Sequence, residues 1–347
     1  MTQQVRVAVV GATGAVGKAM IATLLRREFP FSSLKLLASS RSAGTQVAVA
    51  DQLIEVQEAT PDAFADVDVA LFSAGGTVSI QLAPEAVKRG ALVIDNTAAF
   101  RMDPDVPLIV PEVNPEHMHG HKGIIANPNC STIQMLVALK PLHDAYRVRR
   151  IVVSTYQAAS GAGERAIAEL TEQTRAQVMG EPVVASVMPV AKLSRHYPLA
   201  GNVLAQIDVF EPNGYTREEM KMVNETHKIL GDKTIGVTPT CVRVPVVYGH
   251  SEAVYIETER PFEMADVRAR LEAFPGILVQ DDPEQQVYPQ PLAAAGRFEV
   301  FVGRLRRDLT QPTGLSMWVV SDNIVKGAAW NAVQIAELWL QRGRVGG

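Results

Sequence analysis

The sequence predicts two domains, a doubly wound parallel α/β domain followed by an α+β domain. The chain has 347 residues, more than the roughly 150 residues of one typical domain. In its first third, short apolar strand patterns alternate with helical segments, as in a parallel sheet. Later segments are longer and alternate in polarity, which is typical of mixed or antiparallel strands.

The first element, "VRVAVVGATGAVGKAMIATLLRR", is interpreted as a strand, a glycine turn and a helix. The strand is almost continuously apolar, as expected where helices cover both faces of a sheet. Further strands are predicted within "LKLLAS", "VDVALFSAGG", "AVKRGALVIDNTAAF" and "KGIIANPNC". We expect this domain to span residues 1–129 and to be completed by the C-terminal segment 320–347, leaving residues 130–319 for the second domain.

The second domain is predicted to contain the amphipathic helix "ERAIAELTEQTRAQVM" and several longer strands. The strand patterns lie in "VRRIVVSTYQAASGAG", "VLAQIDVF", "CVRVPVVYGHSEAVYIETE", "GRFEVFVGRLRRD" and "SMWVVSDN". A strong final helix is predicted in "NIVKGAAWNAVQIAELWLQR". Because no low-complexity linker separates the halves, we expect the two lobes to interweave.

The glycine turn indicates a dinucleotide site in a Rossmann-type domain. "GATGAVG" spaces its glycines as G-x-x-G-x-x-G, which lets the backbone turn tightly and approach a pyrophosphate at a helix N-terminus. The cofactor-binding residues predicted in this turn are Gly11, Thr13, Gly14, Ala15, Val16 and Gly17. The spacing departs from the commoner G-x-G-x-x-G, but the preceding strand and the following helix support the prediction.

The end of the second strand indicates which nicotinamide cofactor the site prefers. Ser39, Arg41 and Ser42 stand there, where an NAD site usually offers an acidic residue. A guanidinium and hydroxyl groups suit a 2′-phosphate, so we predict NADP rather than NAD. A polar surface loop with an incidental arginine is the alternative.

Cys130 is the candidate nucleophile. It stands in "NPNCSTI", after a strand and at the start of a helical pattern. Peptide dipoles at a helix N-terminus favour a thiolate, and a thiolate attacks carbonyl carbon. The alternative is a small buried side chain, which is how we interpret Cys241. Beside a nicotinamide, a thiolate can convert an acyl phosphate to a thioester for reduction, or run the same reaction backward.

Composition excludes several other classes. The net charge is -4 without a basic block, so we expect no nucleic-acid partner. No apolar run approaches the roughly 20 residues that span a bilayer, and the N-terminus lacks a signal-peptide layout. Two cysteines are too few for a disulfide framework, so we expect a cytoplasmic protein with reduced thiols. The histidines of "EHMHGHK" lack a suitable set of ligands, so we predict no metal site.

The sequence resembles the aspartate-semialdehyde dehydrogenase family. The resemblance is carried by "GATGAVG", "AFRMDPDVPLIVPEVN", "NPNCSTI", "STYQAASGAG", "IDVF" and "RVPVVYGHSE". It runs from the first strand to the final helix and so covers nearly the whole chain. It implies NADPH-dependent reduction of 4-aspartyl phosphate to the semialdehyde in lysine, diaminopimelate, threonine, methionine and isoleucine synthesis. It also implies a catalytic and dimerisation domain, with a homodimer or a tetramer as the assembly.

The resemblance further implies roles for individual residues. Cys130 would form the thioester, His250 would be the general acid and base, and Gln157 would orient the substrate. Arg243 would clamp the substrate carboxylate. Because Arg243 precedes His250 by seven positions, the two would face opposite sides of one regular strand, unless Pro245 and Gly249 bend it.

The remaining implied residues bind phosphate, the substrate ammonium and the cofactor. Thr216 and Glu219 form a predicted capping box, and the helix that it opens brings Glu218 and Lys221 onto one face. Glu218 would meet the ammonium, although Glu219 is an alternative, and a surface ion pair with Lys221 is another. The phosphate site would comprise Arg101 and Lys221, and the nicotinamide site Ser160, Gly161 and Asn323.

Rival functions remain at this point. Another acyl-phosphate reductase, such as an N-acetyl-γ-glutamyl-phosphate reductase, would keep Cys130 and His250 but need a different pocket. A thiol hydrolase or acyltransferase would have no need of the glycine turn. A catalytically dead homologue would have lost one of the two residues, and both are present.

Overall fold

The computed structural model describes residues 4–342, so the ends of the predicted domains, residues 1–3 and 343–347, lie outside the described residues. Four short segments form single 3₁₀ or π turns, at Pro61–Phe64, Pro115–Met118, Ala159–Ala162 and Val325–Trp330. The strands and α-helices, in chain order, are β1 (Val5–Val10), α1 (Ala15–Arg26), β2 (Phe31–Ala38), β3 (Gln46–Val49), β4 (Gln52–Glu58), β5 (Val69–Phe72), α2 (Gly76–Lys88), β6 (Leu92–Asp95), β7 (Ile124–Ala126), α3 (Cys130–Tyr146), β8 (Val148–Gln157), α4 (Glu164–Met179), α5 (Arg217–Leu230), β9 (Gly236–Arg243), β10 (His250–Thr258), α6 (Met264–Ala273), β11 (Ile277–Val279), α7 (Pro291–Ala294), β12 (Val300–Arg307), β13 (Gly314–Ser321) and α8 (Asn331–Gln341).

The chain divides into two compact units. The first contains the residues up to Asn129 and those from Gly327 onward, and the second is Cys130–Lys326. The structure therefore moves the start of the returning segment from the predicted residue 320 to Gly327. The reason is that β13 pairs with β10 and β12 as far as Ser321 and Val320, and the Asp322 carboxylate then accepts a hydrogen bond from Gly296 N, all within the second unit.

The first unit is a doubly wound α/β sheet, as predicted. Its strand order is β3-β4-β2-β1-β5-β6-β7, and every pair is parallel except the β3–β4 hairpin, which the sequence patterns did not indicate. Alternate residues of β1 enter two different cores. Val7 and Val9 pack with α1 and α8, whereas Ala8 and Val10 pack with Phe72 and α2. Helices therefore cover both faces, which explains the continuous apolar pattern.

The second unit is a mixed six-stranded sheet with the order β11-β12-β13-β10-β8-β9. The β8–β9 and β11–β12 pairs are parallel, and the others are antiparallel. Helix α3 packs against β8, β10 and β13. This α+β architecture confirms the predicted class of the second domain.

Two strand predictions in this unit were wrong. The segment "VLAQIDVF" makes only isolated bridges, from Leu204 to Arg243 and from Phe210 to Thr216. The pattern "CVRVPVVYGHSEAVYIETE" forms β9 and β10 rather than one strand, and β8 lies between them in the sheet. The proline and glycine between them mark a crossover, which periodicity alone does not distinguish from a bend.

Candidate active site

The start of α1 is built from backbone alone. Gly14 is the N-cap residue, makes no side-chain cap hydrogen bond, and is followed by no acidic residue in the first turn. Gly11 has a φ of 87°, and a methyl group on Gly17 would lie 2.1 Å from the Gly11 carbonyl oxygen. Both positions therefore require glycine, and the backbone N–H groups at the start of a helix suit a pyrophosphate. Thr13 lies in the turn, and Ala15 and Val16 open the helix.

The predicted 2′-phosphate residues follow β2 directly. Because β1 and β2 are parallel, the carboxyl end of β2 lies beside the glycine turn at one edge of the sheet. Ser39 and Ser42 form a turn in which Ser42 N donates to the Ser39 carbonyl over 2.9 Å. Ser39 and Arg41 are exposed. The hydroxyls and guanidinium thus fit a phosphate at this edge.

Arg101 belongs to the first unit, although it was predicted to bind substrate phosphate. It is buried, and its Nε and Nη2 donate to the carbonyl oxygens of Asn127 and Asn96 over 2.9 and 2.8 Å. These backbone carbonyls thereby fix the position of the guanidinium.

In the second unit, sheet register gathers residues that are far apart in sequence. Gln157 ends β8 and lies opposite Arg243, which ends the parallel strand β9. His250 begins the antiparallel strand β10 and lies opposite Ser321 at the end of β13. All four residues therefore lie at one end of the sheet. Arg243 and His250 reach it from different strands, so the predicted conflict over their spacing does not arise.

Cys130 is the first residue of α3, as predicted, and is partly exposed. The adjacent Ser131 is buried and accepts a hydrogen bond from Gln157 Nε2 over 2.9 Å. The amide end of Gln157 is therefore held next to the start of the helix. The dipole there favours the thiolate form of a cysteine.

His250 is held in one tautomer. Its Nδ1 accepts a hydrogen bond from the backbone N of Ala158 over 3.0 Å, so the neutral ring carries its proton on Nε2. Nε2 is buried and has no partner among the described residues. Burial lowers the pKa of His250 to about 3, and the nearby Arg243 adds to that shift. The resting ring offers a proton and has no free lone pair to receive one.

Arg243 is almost completely buried beside this histidine. Its Nη1 donates to the Ala158 carbonyl over 2.6 Å, whereas Nε has no partner among residues 4–342. Burial lowers the pKa of Arg243, while Glu218 and Cys130 oppose that shift. A methyl group on Gly161 would lie 2.9 Å from Arg243 Nη1 and 3.2 Å from His250 Nε2, so the backbone of Gly161 borders both groups.

The two candidate glutamates on α5 have different surroundings. Glu219 completes the predicted capping box with Thr216, and its other oxygen accepts from the backbone N of Cys241 over 2.9 Å. Glu218 instead accepts from Gln157 Nε2 over 3.2 Å and from Lys221 Nζ over 3.0 Å. The structure therefore brings Glu218, rather than Glu219, into the cluster with Gln157.

Two further features connect to this cluster. Asn323 donates to Ser160 Oγ over 3.0 Å and accepts from Gly249 N over 3.0 Å, so it ties the turn after β8 to the start of β10. The carboxylate oxygen Oδ2 of Asp208 lies 3.5 Å from Lys221 Nζ. Sequence reasoning missed Asp208, as well as both backbone groups of Ala158. No side-chain pattern indicates a backbone contact. The one sequence signal for Asp208 was its position in the "IDVF" motif, which gave it no role.

The described residues contain no group of three or more metal-binding side chains. Cys241 is buried in β9, and burial raises the pKa of its thiol well above its ordinary value. It is therefore an inert core residue. No helix among residues 4–342 is both long and apolar enough to cross a membrane.

Comparison with known proteins places the chain in a class of dehydrogenases. Residues 6–121 match the semialdehyde dehydrogenase NAD binding domain, and residues 139–326 match the semialdehyde dehydrogenase dimerisation domain. The glycine turn lies within the first match, and Gln157, Arg243 and His250 lie within the second. The chain is thus built as a nicotinamide-dependent oxidoreductase with a Rossmann-type domain and a dimerisation domain.

Individual relatives narrow the class. The chain is 56% identical to the aspartate-semialdehyde dehydrogenase of Bacillus subtilis over 97% of this chain and 98% of the relative. The aspartate semialdehyde dehydrogenase II of Vibrio cholerae complexed with ASA matches with a TM-score of 0.93 and 48% identity, over 98% of this chain and 99% of that one. The structure of the aspartate semialdehyde dehydrogenase with NADP from Candida albicans matches with a TM-score of 0.75 and 28% identity, over 97% of this chain and 98% of that one. The chain belongs to the aspartate-semialdehyde dehydrogenase family.

Proposed function

We propose that the chain catalyses the reversible, NADPH-dependent reduction of 4-aspartyl phosphate to aspartate 4-semialdehyde through a thioester on Cys130. The observation that carries this proposal is the position of Cys130 at the start of α3, with Gln157 held beside that helix start. Arg243 and His250 complete the same end of the sheet. The 4-aspartyl substrate is supported by the names of relatives that match nearly the whole chain.

In the first step, the Cys130 thiolate attacks the acyl carbon. The C–S bond forms, the bond from carbon to the phosphate oxygen breaks, and phosphate leaves with that electron pair. When bound, the nicotinamide cofactor supplies the hydride that reduces the thioester carbon. The C–S bond then breaks, the aldehyde is released, and Cys130 returns to its thiolate form.

For His250 we propose the role of a hydrogen-bond donor, in place of the general acid and base that the resemblance implies. The Ala158 N–H occupies Nδ1, so the neutral ring presents Nε2–H. That donor stabilises the negative charge that develops on the substrate oxygen when the thiolate or hydride adds. The proposed first step starts from the thiolate, which the start of a helix favours.

The charged residues divide the substrate between them. Arg243 binds the α-carboxylate, for which a buried guanidinium is suited because it offers several donors in one plane. Glu218 binds the ammonium group, since its carboxylate is buried beside Gln157. Lys221 and Arg101 bind phosphate. Lys221 and Glu218 pair with each other over 3.0 Å. Substrate binding would therefore exchange this pair for contacts of Lys221 with phosphate and of Glu218 with the ammonium group.

The finer features of the enzyme are also proposals. We assign the cofactor as NADP from Ser39, Arg41 and Ser42, with Ser160, Gly161 and Asn323 on the nicotinamide side. A homodimer or tetramer is supported by the match of the second unit to a dimerisation domain. We place the enzyme in the cytoplasm, where its two free cysteines would stay reduced. It would serve synthesis of lysine, diaminopimelate, threonine, methionine and isoleucine.

The test is phosphate-dependent NADP⁺ reduction with aspartate semialdehyde, run beside N-acetylglutamate semialdehyde. We expect turnover with the first aldehyde and a large preference over the second. A single-turnover experiment isolates the thioester. Without NADPH, 4-aspartyl phosphate should acylate Cys130 and release one phosphate per active site. The matched control variant Cys241→Ala should be acylated at Cys130 to the same extent. Equal rates with both aldehydes, or no acylation at Cys130, would overturn the proposal.

A further inference from the structure

The carboxyl group of Glu252 is buried on the same strand as His250, one of the proposed catalytic residues. Glu252 is two residues after His250 on β10, so both side chains project from the same face of the sheet. Glu252 is fully buried, and neither oxygen has a hydrogen-bond partner among residues 4–342. Across the strands it lies opposite Thr155 on β8 and Val319 on β13, neither of which carries a charge.

Gln134 lies on α3, which packs against β10, and its side-chain amide is close enough to Glu252 to influence the pKa of that carboxyl group. It is four residues after Cys130, so the two lie on the same face of the helix, one turn apart. Gln134 is fully buried, and its Nε2 donates to the backbone carbonyl of His250 over 3.3 Å. Its Oε1 is an acceptor without a donor. Gln134 thus connects the helix of the nucleophile to the first residue of β10.

These observations leave three buried acceptor atoms, two on Glu252 and one on Gln134, without a donor. A carboxylate would add a buried charge with no described cation beside it, which is strongly unfavourable. A proton on Glu252 removes the charge and supplies the missing donor. Burial also raises the pKa of Glu252 well above its ordinary value, and the Gln134 amide opposes this shift only in part.

We propose that Glu252 is a neutral carboxylic acid whose O–H donates to Gln134 Oε1, and that this pair positions Cys130 relative to His250. With Oε1 held by the acid, the amide nitrogen of Gln134 is directed at the His250 carbonyl. Both residues are positioning residues, since neither touches the reacting atoms. The neutral state also keeps negative charge away from the Cys130 thiolate, which a carboxylate would destabilise.

The protonation state can be measured directly, independently of catalysis. The infrared C=O stretch of a protonated carboxyl group should be present in the wild-type protein at pH 7 and absent from the difference control Glu252→Gln. The matched control Glu257→Gln changes the same residue type on the same strand, but the Glu257 carboxylate is partly exposed and pairs with Arg149 over 2.8 Å. It should leave the band unchanged. Absence of the band from the wild type would overturn the proposal.

The positioning role rests on the proposed function and has its own readouts. Glu252→Leu removes the donor, so kcat should fall about tenfold with little change in KM, because misalignment of reacting groups mainly affects turnover. The rate of Cys130 alkylation by iodoacetamide should change as well, in the absence of substrate and cofactor. Glu252→Gln should restore both quantities, since an amide N–H can replace the acid O–H. Unaltered values in Glu252→Leu, or equal damage in both variants, would contradict the role.

A reversed pair provides the sharpest test. Gln134→Glu alone places two carboxyl groups together, and it should lower kcat and alter alkylation. Combining it with Glu252→Gln restores one acid and one amide with exchanged positions, so both quantities should recover toward wild type. Failure to recover in a folded double variant would refute the pairing. Loss of all catalysis in the wild type itself would instead count against the proposed function, since the infrared band and the alkylation rates would be unaffected.

Discussion

The starts of α1 and α3 use the same helix property in opposite ways. At α1 the proposed site consists of backbone: Gly11 and Gly17 have no room for a side chain, and backbone N–H groups would donate to the cofactor phosphates. At α3 the site is a side chain, Cys130, and its neighbours come from other elements. The first site is contained within one turn of chain, whereas the second depends on sheet register. Adding atoms should therefore damage the first, and removing them should damage the second.

The most severe loss should follow from removing the nucleophile at α3. Cys130→Ala should lower kcat by at least about a thousandfold, because the proposed thioester needs the sulfur of Cys130. NADP affinity should remain near wild type, since the backbone at α1 is untouched. The measurements are steady-state turnover and cofactor binding by fluorescence titration on folded protein. Substantial turnover in the variant would show that the two helix starts do not differ in this way.

Adding one methyl group at α1 should be the next most damaging change. In Gly17→Ala the new Cβ would lie 2.1 Å from the Gly11 carbonyl oxygen, so the turn must move. We expect NADP affinity to fall by about a hundredfold, and stability by about 1–3 kcal/mol from overpacking. Gly236→Ala is the control, because its Cβ would meet only ordinary contacts of 3.8 and 3.9 Å. Equal, small effects of both changes would mean that the turn tolerates side chains.

The side-chain site should also separate two anions. Arg243→Lys should raise the KM for semialdehyde and lower kcat, because an ammonium cannot reproduce a planar, multidentate clamp. Lys221→Ala should raise the KM for phosphate more than that for semialdehyde. Each change should amount to about tenfold, the scale of one hydrogen bond to a charged group. If both variants weakened the same substrate equally, the assignment of residues to anions would be wrong.

Burial at the second site should also make stability depend on pH. The pKa of His250 is lowered to about 3, so acid protonates this histidine in the unfolded chain, near pH ~6.5, before the folded one. The stability contributed by the neutral histidine is therefore fully present above pH ~6.5 and is lost progressively down to pH ~3. The part lost at pH 5 amounts to about 2 kcal/mol. Denaturant unfolding at pH 7 and pH 5 measures it. His250→Asn should lose less stability over this interval, and an identical loss would contradict the cause.

A change of about the same size as at the anion sites should come from the exposed edge of the first site. Arg41→Asp should shift the ratio of kcat/KM for NADPH and NADH toward NADH by about tenfold, through loss of one charge-assisted hydrogen bond and repulsion of the 2′-phosphate. Arg304→Asp is the matched control, since that exposed arginine lies on β12 of the second unit. An unchanged ratio in Arg41→Asp would make Arg41 an ordinary surface residue.

The contrast between the two helix starts also explains which predictions were possible. The glycine turn, β1 and α1 were predicted together because their signals lie within neighbouring residues. The same is true of Cys130 at the start of α3 and of the capping box formed by Thr216 and Glu219. The β3–β4 hairpin and the boundary at Gly327 were not predicted, because strand pairing and packing across the chain decide them.

The sequence by itself determined the two fold classes, the backbone site at α1 and the residue types needed for thiol chemistry. Local signals suffice there, since burial periodicity, caps and glycine conformations act over a few residues. Only the tertiary structure decided that Arg243 and His250 meet from separate strands, that Glu218 rather than Glu219 joins Gln157, and that Ala158 sets the tautomer of His250. Those contacts join residues that only sheet register brings to one place, and register depends on the whole hydrophobic pattern of the domain.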